Sequence, residues 1–184
     1  NYCTVGTVEF LVEGEEFFFL EVNPRIQVEH PVTEAVTNVD LVQLQIALAA
    51  GEDLPFAQSE MHVEGHAIEL RINAEHPRTF MPSPGRITGF HLPGGPGIRI
   101  DSAVHEQAMV QPYYDSLVAK VIVRAQDRPS AIRRAQRALA ECVVEGIHTC
   151  IPLHRDLLAS DEFRDLAFHT RFLEGWLEAR DKES

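Results

Sequence analysis

Two strand-like runs of apolar residues open the chain and enclose a short polar break. In GTVEFLVEGEEFFFLEVN, residues 6–23, the break is Glu-Gly-Glu-Glu. This order is typical of a β-hairpin, and Gly14 supplies the turn. Residues 24–30 then keep an alternation of polar and apolar positions, which predicts extended backbone. Pro31 is expected to start a helix, because its missing N–H is not needed at that position.

A second helix and a change of pattern follow. Residues 41–50 form an apolar helical run, with Asp40 as the expected cap and Gly51 as the stop. After a polar stretch, strand-like runs are predicted at 66–74, 85–91, 98–102 and 116–124. An amphipathic helix is predicted at 129–143, ended by Gly146. Short helices near 153–158 and 170–176 complete the chain.

These elements predict an α+β fold in two parts. Residues 1–60 are expected to form one part, and residues 61–184, with several strands and helices, the other. In the amphipathic helix, Ile132, Ala135 and Leu139 share one face and are expected in the core, while three arginines occupy the opposite face.

Composition argues against several classes of function. With 28 acidic and 16 basic residues the formal net charge is −12, which disfavours binding to nucleic acid. No apolar run approaches the length of about 20 residues that a membrane helix needs, so no membrane partner is expected. Cys3, Cys142 and Cys150 form no C-x-x-C pair. A reducing cytoplasm therefore fits better than a disulfide framework or a zinc cluster.

The first residues predict a chain that begins inside a domain. Asn1 is not an initiator methionine, and a strand-like run starts within a few residues of it. No signal-type stretch is present. The sequence is therefore interpreted as a fragment of a longer protein.

Two glutamates on the arms of the predicted hairpin are candidate metal ligands. Glu9 and Glu21 have their midpoint inside the turn, so a loop with an odd number of residues would set them opposite each other. Facing carboxylates repel unless a cation lies between them. Asn23 adds an oxygen, and this donor set suits Mg²⁺ or Mn²⁺. A solvated polar face on an edge hairpin is the alternative.

A second group of polar residues follows at a spacing of two. In an extended backbone Arg25, Gln27 and Glu29 share one face, while Ile26 and Val28 turn towards the core. Arginine presents donors that match a planar oxyanion, glutamine adds a donor, and glutamate can accept a proton. A strand with an Arg–Glu surface pair explains the same spacing, so periodicity leaves both interpretations open.

Four long motifs decide between them. EVNPRIQVEHPVTE at 21–34, AIELRINAEHP at 67–77, PSPGRITGFHLPGG at 82–95 and PYYDSLVAKVIV at 112–123 resemble the signatures of biotin carboxylases, which belong to the ATP-grasp group. The resemblance covers nearly the whole chain. It implies the C-terminal part of an ATP-grasp domain at 1–60, followed at 61–184 by the biotin carboxylase C-terminal domain, an antiparallel sheet with packed helices.

The resemblance implies a metal and nucleotide site in the first part. The residues that match Glu9 and Glu21 hold two Mg²⁺ or Mn²⁺ ions against the phosphates of ATP. The match to Asn23 belongs to the same cluster. This agrees with the argument from the hairpin.

The resemblance also implies a bicarbonate site. The matches to Arg25, Gln27 and the backbone of Val28 bind bicarbonate, and the match to Glu29 is the base that deprotonates it. Bicarbonate then attacks the γ-phosphate to give carboxyphosphate, which releases CO₂ beside biotin.

In the second part, the resemblance gives Arg71 the role of stabilising the biotin enolate. An ion pair with Glu69 or Glu75 is the structural alternative. Similar enzymes form homodimers through this domain, and Arg99 and Glu141 match positions at that contact. The implied partners are a biotin carboxyl carrier protein and carboxyltransferase subunits.

The chain resembles most the biotin carboxylase subunit of acetyl-CoA carboxylase, and this resemblance implies a role in fatty acid synthesis. A pyruvate or propionyl-CoA type of carboxylase and a non-catalytic dimerisation module are the alternatives. The glycine-rich lid and the nucleotide-contacting lysines of the family lie upstream of the matched region. The fragment alone is therefore expected to be inactive.

Overall fold

The computed structural model describes residues 2–183. The chain divides into two compact units, Asn1–Gly65 and His66–Ser184. Each contains helices and antiparallel strands, so the predicted α+β class is confirmed. Within the described residues no helix is both long and apolar enough to span a bilayer.

The first unit begins with the predicted hairpin. Strand β1, Thr7–Glu13, pairs antiparallel with β2, Glu16–Asn23, across a two-residue turn. Gly14 in that turn has a φ of 63°. Glycine reaches this left-handed region without a steric penalty, which explains its place between two apolar runs.

A β-bulge decides which residues of the hairpin face each other. Phe10 pairs with Phe19 and Glu9 pairs with Glu21, so Leu20 is the extra residue of the second strand. A two-residue turn alone would have set Glu9 opposite Leu20. The predicted Glu9–Glu21 pairing is therefore confirmed, but a two-residue turn and a bulge produce it, and not an odd-numbered loop.

Two α-helices follow the hairpin in the first unit, and a short 3-10 helix, Gln58–Glu60, comes after them. The two α-helices are α1, His30–Thr37, and α2, Leu41–Ala49. Asp40 caps α2 as predicted, because its side chain accepts a hydrogen bond from the amide of Gln43 at 2.7 Å. The buried carboxylate of Glu34 in α1 accepts another from the first amide of α2 at 2.8 Å. The two helices are thus joined at the N-terminus of the second.

The second unit is built on a three-stranded antiparallel sheet. The strands of the whole unit are β3 His66–Asn73, β4 Gly85–Arg86, β5 Gly89–His91, β6 Ile98–Asp101, β7 Met109–Val110, β8 Leu117–Ala125 and β9 Val143–Glu145. The main sheet has the order β3-β8-β6, so β8 is central and β3 is an edge. The remaining short strands pair as β4-β7 and β5-β9.

Helix α3 covers this sheet with its predicted apolar face. The helices of the unit are α3 Arg128–Glu141, α4 Ile151–Ala159, α5 Asp161–Arg164 and α6 Phe172–Glu183. Ile132, Ala135 and Leu139 are buried and share one core with Ile72 and Val121. Alternate residues of the strands and every third or fourth residue of the helix thus meet in the same core.

Several boundaries differ from the prediction. The strand expected at 85–91 is two short strands, because β4 and β5 pair with different partners. Strands β7 and β9 were not predicted, since two or three residues give no periodic signal. Helix α3 ends at Glu141, and Val143 belongs to β9. Gly146 does not end the helix; it follows β9 with a φ of 92°.

Candidate functional site

The hairpin and the segment after it bring four polar side chains together in the first unit. The amide nitrogen of Asn23 donates to Oε1 of Glu9 at 2.8 Å and to Oε1 of Glu21 at 2.9 Å. The amide of Gln27 donates to the same oxygen of Glu9 at 2.9 Å. These donors offset the repulsion between two facing carboxylates.

This donor set fits a divalent hard cation. Mg²⁺ is usually held by one or two carboxylates together with substrate phosphates and water, and Glu9 and Glu21 supply such a pair. In this conformation the side-chain nitrogen of Asn23 faces both carboxylates, and its role as an oxygen ligand stays a prediction. Rotation of that amide by half a turn would exchange nitrogen for oxygen. Among residues 2–183 no three His, Cys, Asp or Glu side chains form a metal-binding group.

Residues 24–29 form a turn, and the predicted extended strand is wrong. The amide of Arg25 donates back to the carbonyl of Asn23 at 2.8 Å. Glu29 has φ −80° and ψ 3°, directly before helix α1. Pro24 ends the strand because it has no N–H to donate to a ladder. The chain therefore bends within the motif.

The bend changes the directions of the side chains that were expected on one face. Gln27 reaches the first carboxylate of the hairpin, whereas Nη1 of Arg25 donates to the neighbouring carbonyl of Ile26 at 3.2 Å. Val28 is 39% exposed and does not turn into the core as predicted. Arg25, Gln27 and Glu29 thus share a turn and not the face of a strand.

His30 ties this turn to helix α1. Its Nδ1 lies 2.8 Å from the carbonyl oxygen of Gln27, and its Nε2 lies 3.9 Å from Oε2 of Glu34. The same glutamate binds the N-terminus of α2. The contact of His30 with the carbonyl of Gln27 depends on the bend.

Arg71 lies on β3 in the second unit with its side chain 47% exposed. Its neighbours Leu70 and Ile72 are buried, so strand alternation directs Arg71 outwards. Its Nε lies 3.4 Å from Oε1 of Glu69, whose side chain is only 5% exposed. The ion pair considered as an alternative is therefore present. It holds the guanidinium beside a buried carboxylate and leaves about half of the side chain accessible.

Two residues of the second unit were missed as candidates. Cys150 and His154 stand one helical turn apart at the start of α4, and both contact the carbonyl oxygen of Arg71, at 3.0 Å and 2.8 Å. Burial raises the pKa of the Cys150 thiol and lowers the pKa of His154. The i, i+4 spacing of cysteine and histidine was the available signal, but their target lies 79 residues away from the cysteine.

The residues expected at a dimer contact are charged and paired within the chain. Arg99 donates to both carboxylate oxygens of Asp101 at 2.8 and 2.9 Å, and Glu141 accepts from Arg137 at 2.7 Å. Burial raises the pKa of Asp101, but the hydrogen bonds and charges of Arg99 and Lys120 outweigh it and hold that pKa below its ordinary value.

Two family matches divide the chain in the same order as the two units. Residues 1–57 match the carbamoyl-phosphate synthase L chain ATP-binding domain, and residues 69–175 match the biotin carboxylase C-terminal domain. The second match covers more than half of the chain.

Individual relatives extend these matches. The chain is 48% identical to a pyruvate carboxylase subunit of Methanothermobacter thermautotrophicus over its whole length and 51% identical to a biotin carboxylase of Allochromatium vinosum over 96% of it. It spans 38% and 39% of the lengths of these relatives.

Solved structures show the same likeness. The biotin carboxylase domain dimer of Hydrogenobacter thermophilus 2-oxoglutarate carboxylase, in complex with MgADP, ADP and bicarbonate, is 45% identical with a TM-score of 0.91. The match covers 94% of this chain and 38% of that one. The motifs, the fold and the family matches agree, and the chain belongs to the biotin carboxylase family.

Proposed function

We propose that this chain carries the metal, bicarbonate and biotin residues of a biotin carboxylase. The complete enzyme carboxylates carrier-linked biotin with bicarbonate and MgATP through carboxyphosphate. The observation that carries the proposal is the cluster of Glu9, Glu21, Asn23 and Gln27, which combines facing carboxylates with the side chain assigned to bicarbonate. The chain alone is expected to be inactive.

Glu9 and Glu21 are the proposed ligands of two Mg²⁺ or Mn²⁺ ions, with Asn23 beside them. Bound ions would neutralise charge on the phosphates of ATP. The carboxylates of Glu9 and Glu21 would hold the ions in place, and the β-bulge sets these two carboxylates opposite each other. The side-chain amide of Asn23 holds both carboxylates close to each other through its two hydrogen bonds.

Bicarbonate is proposed to bind at the turn before α1. The guanidinium of Arg25, the side-chain amide of Gln27 and the backbone of Val28 donate to its oxygens. Glu29 takes its proton, which makes the anion a better nucleophile towards the γ-phosphate. The hydrogen bond from Gln27 to Glu9 supports this assignment, because it holds one of these donors next to the facing carboxylates.

Biotin is proposed to react beside Arg71. When the ureido nitrogen loses its proton, negative charge develops on the ureido oxygen. A guanidinium already in place stabilises such charge best, because it does not have to reorganise during the reaction. The half-exposed side chain of Arg71 and its anchoring by Glu69 support this role.

The final acceptor is proposed to be acetyl-CoA, which places the enzyme in fatty acid synthesis in the cytoplasm. The likeness to the pyruvate carboxylase of Methanothermobacter thermautotrophicus favours a pyruvate-type enzyme as the second candidate. In either case the partners are a biotin carboxyl carrier protein, carboxyltransferase subunits and a second copy of the chain. The dimer reported for the relative from Hydrogenobacter thermophilus supports the last of these.

The test is ATP hydrolysis by a full-length enzyme in which an upstream ATP-binding region is joined to this chain. We expect hydrolysis that depends on bicarbonate and Mg²⁺, and carboxylation of free biotin. The 184-residue chain alone should do neither. A folded full-length enzyme without bicarbonate-dependent hydrolysis would overturn the proposal.

A further inference from the structure

The outer edge of β3 is bound by the start of helix α4. Because β3 is an edge strand, the backbone groups of Arg71 and Asn73 that point away from β8 have no strand partner. The amide of Asn73 donates to Sγ of Cys150 at 3.1 Å, and the amide of Cys150 donates to the carbonyl of Asn73 at 3.1 Å. A single residue thus binds both backbone groups of Asn73.

The carbonyl oxygen of Arg71 is the meeting point of two side chains. The thiol of Cys150 donates to it at 3.0 Å. Nε2 of His154 lies 2.8 Å from the same oxygen, so this nitrogen carries a proton and donates as well. The thiol and the ring nitrogen are themselves 3.4 Å apart. Two donors therefore converge on the backbone of one arginine.

Cys150 does not serve the helix that it caps. A side chain at this position usually accepts a hydrogen bond from an early amide of its own helix. Cys150 stands at the N-cap of α4, yet its side chain makes no such bond. Its sulfur instead faces β3, where it donates to one backbone group and accepts from another. Burial keeps the thiol protonated by raising its pKa, which preserves it as a donor.

The backbone of Arg71 determines where its guanidinium stands. A long, half-exposed side chain has many rotamers, and the direction of its Cα–Cβ bond limits which of them reach a substrate. Glu69 restrains the guanidinium end, and the two donors from α4 restrain the backbone end. Arg71 is thus held at both ends.

We propose that Cys150 and His154 are positioning residues for Arg71. They fix its backbone at the edge of β3 so that its guanidinium meets the ureido oxygen of biotin. The inference rests on the role of Arg71 proposed above. It adds a second layer to the biotin site, formed by residues that do not touch the substrate.

The test uses three cysteine variants of the full-length enzyme. Cys150→Val keeps the size and removes the donor, Cys150→Ser keeps a donor, and Cys142→Val makes the same change at another buried cysteine. We expect Cys150→Val to lower kcat for biotin carboxylation by about 10-fold or more, since a misplacement of about 1 Å can cost about 10²-fold. Bicarbonate-dependent ATP hydrolysis without biotin should change little. Cys150→Ser should restore most of the activity, and Cys142→Val should behave as the wild type.

Two results separate positioning from general support of the fold. If Cys150 acts through Arg71, then Cys150→Val should have no further effect on biotin carboxylation in an Arg71→Ala background. His154→Leu should likewise have no further effect on biotin carboxylation in the Arg71→Ala background. Additive losses, or equal losses in both reactions, would overturn the proposal.

A measurement on the 184-residue chain tests the positioning role without an activity assay. The Nε–H resonance of Arg71 should show increased motion in Cys150→Val by heteronuclear NOE, and normal order in Cys150→Ser. An unchanged resonance in folded Cys150→Val would refute the positioning role. An inactive wild-type enzyme would instead refute the proposed function alone.

Discussion

The side-chain amide of Gln27 donates a hydrogen bond to the carboxylate of Glu9 across 2.9 Å. Glu9 belongs to strand β1, and Gln27 belongs to the turn before α1. The contact joins the proposed metal ligands to the proposed bicarbonate turn. Substitution of Glu9 would therefore disturb both. Glu21, whose carboxylate also binds Asn23, is the better position at which to test the metal.

Replacing Glu21 with glutamine should weaken the use of metal–ATP. The amide keeps the shape but loses the charge that balances a divalent ion. The Mg²⁺ concentration for half-maximal ATP hydrolysis should rise by about 10-fold or more, as changes around a metal site commonly cost about 10- to 100-fold in affinity.

The matched control is Glu13→Gln, at the turn end of the same hairpin, where Glu13 pairs with Glu16. It removes the same charge away from the cluster and should leave the Mg²⁺ titration unchanged. An identical titration for Glu21→Gln and the wild type would remove Glu21 from the metal ligands.

Glu29→Gln should remove the proposed base while keeping its volume. The variant should fold, bind metal–ATP and lose about 10²-fold or more in bicarbonate-dependent turnover, because an amide cannot accept the proton. Glu29→Asp should be intermediate. Steady-state kinetics with circular dichroism as the folding control measures this. Near-normal turnover, or loss of activity only through unfolding, would make Glu29 a structural residue.

Arg71→Ala should separate the two halves of the reaction. Its proposed role begins after carboxyphosphate forms, so bicarbonate-dependent ATP hydrolysis should persist in part. Biotin carboxylation should fall by about 10²-fold or more, the usual effect of removing one donor to a developing oxyanion. Parallel assays of phosphate release and carboxybiotin give the ratio. An equal decline in both assays would show that Arg71 supports the fold.

Leu139→Ala should destabilise the second unit by about 2–5 kcal/mol, because Leu139 is fully buried between α3 and the sheet. Urea unfolding of the 184-residue chain measures the change. Arg133→Ala, on the exposed face of the same helix, should stay within about 0.5 kcal/mol of the wild type. Similar losses in both variants would mean that helix propensity, and not burial, dominates.

Charge reversal at Arg99 should weaken the proposed dimer. Arg99→Glu places a carboxylate beside Asp101, which Arg99 binds through two hydrogen bonds. Sedimentation of the chain at several concentrations should show a dimer for the wild type and a shift towards monomer for the variant. Arg133→Glu is the control for a change of charge elsewhere. A wild-type chain that is monomeric at high concentration would contradict a self-sufficient interface.

Local patterns predicted those elements whose determinants are adjacent in sequence. Gly14 between two apolar runs gave the hairpin, and Asp40 with Gly51 gave the bounds of α2 to within one residue. The spacing of Ile132, Ala135 and Leu139 gave the buried face of α3. In each case the signal is a period or a cap that the residues carry themselves.

The conformation of residues 24–29 could not be read in the same way. Their alternation is that of a strand, but Pro24 and the helix that begins at His30 impose a turn. The spacing of two made Arg25, Gln27 and Glu29 candidates, but their shared face was predicted wrongly. Periodicity predicts the conformation of a segment only if the segment is a regular element. The conformation of a short segment between two elements is set by the elements at its ends.

The sequence by itself determined the family, the fold class and the identity of the candidate residues, because motifs, turns and apolar periods are local. Only the tertiary structure decided that a bulge at Leu20 sets Glu9 opposite Glu21, and that Cys150 and His154 bind the carbonyl of Arg71. The physical reason is that register and contacts between distant segments depend on backbone groups that every residue has. The order of side chains in the sequence therefore does not predict where these backbone groups form hydrogen bonds.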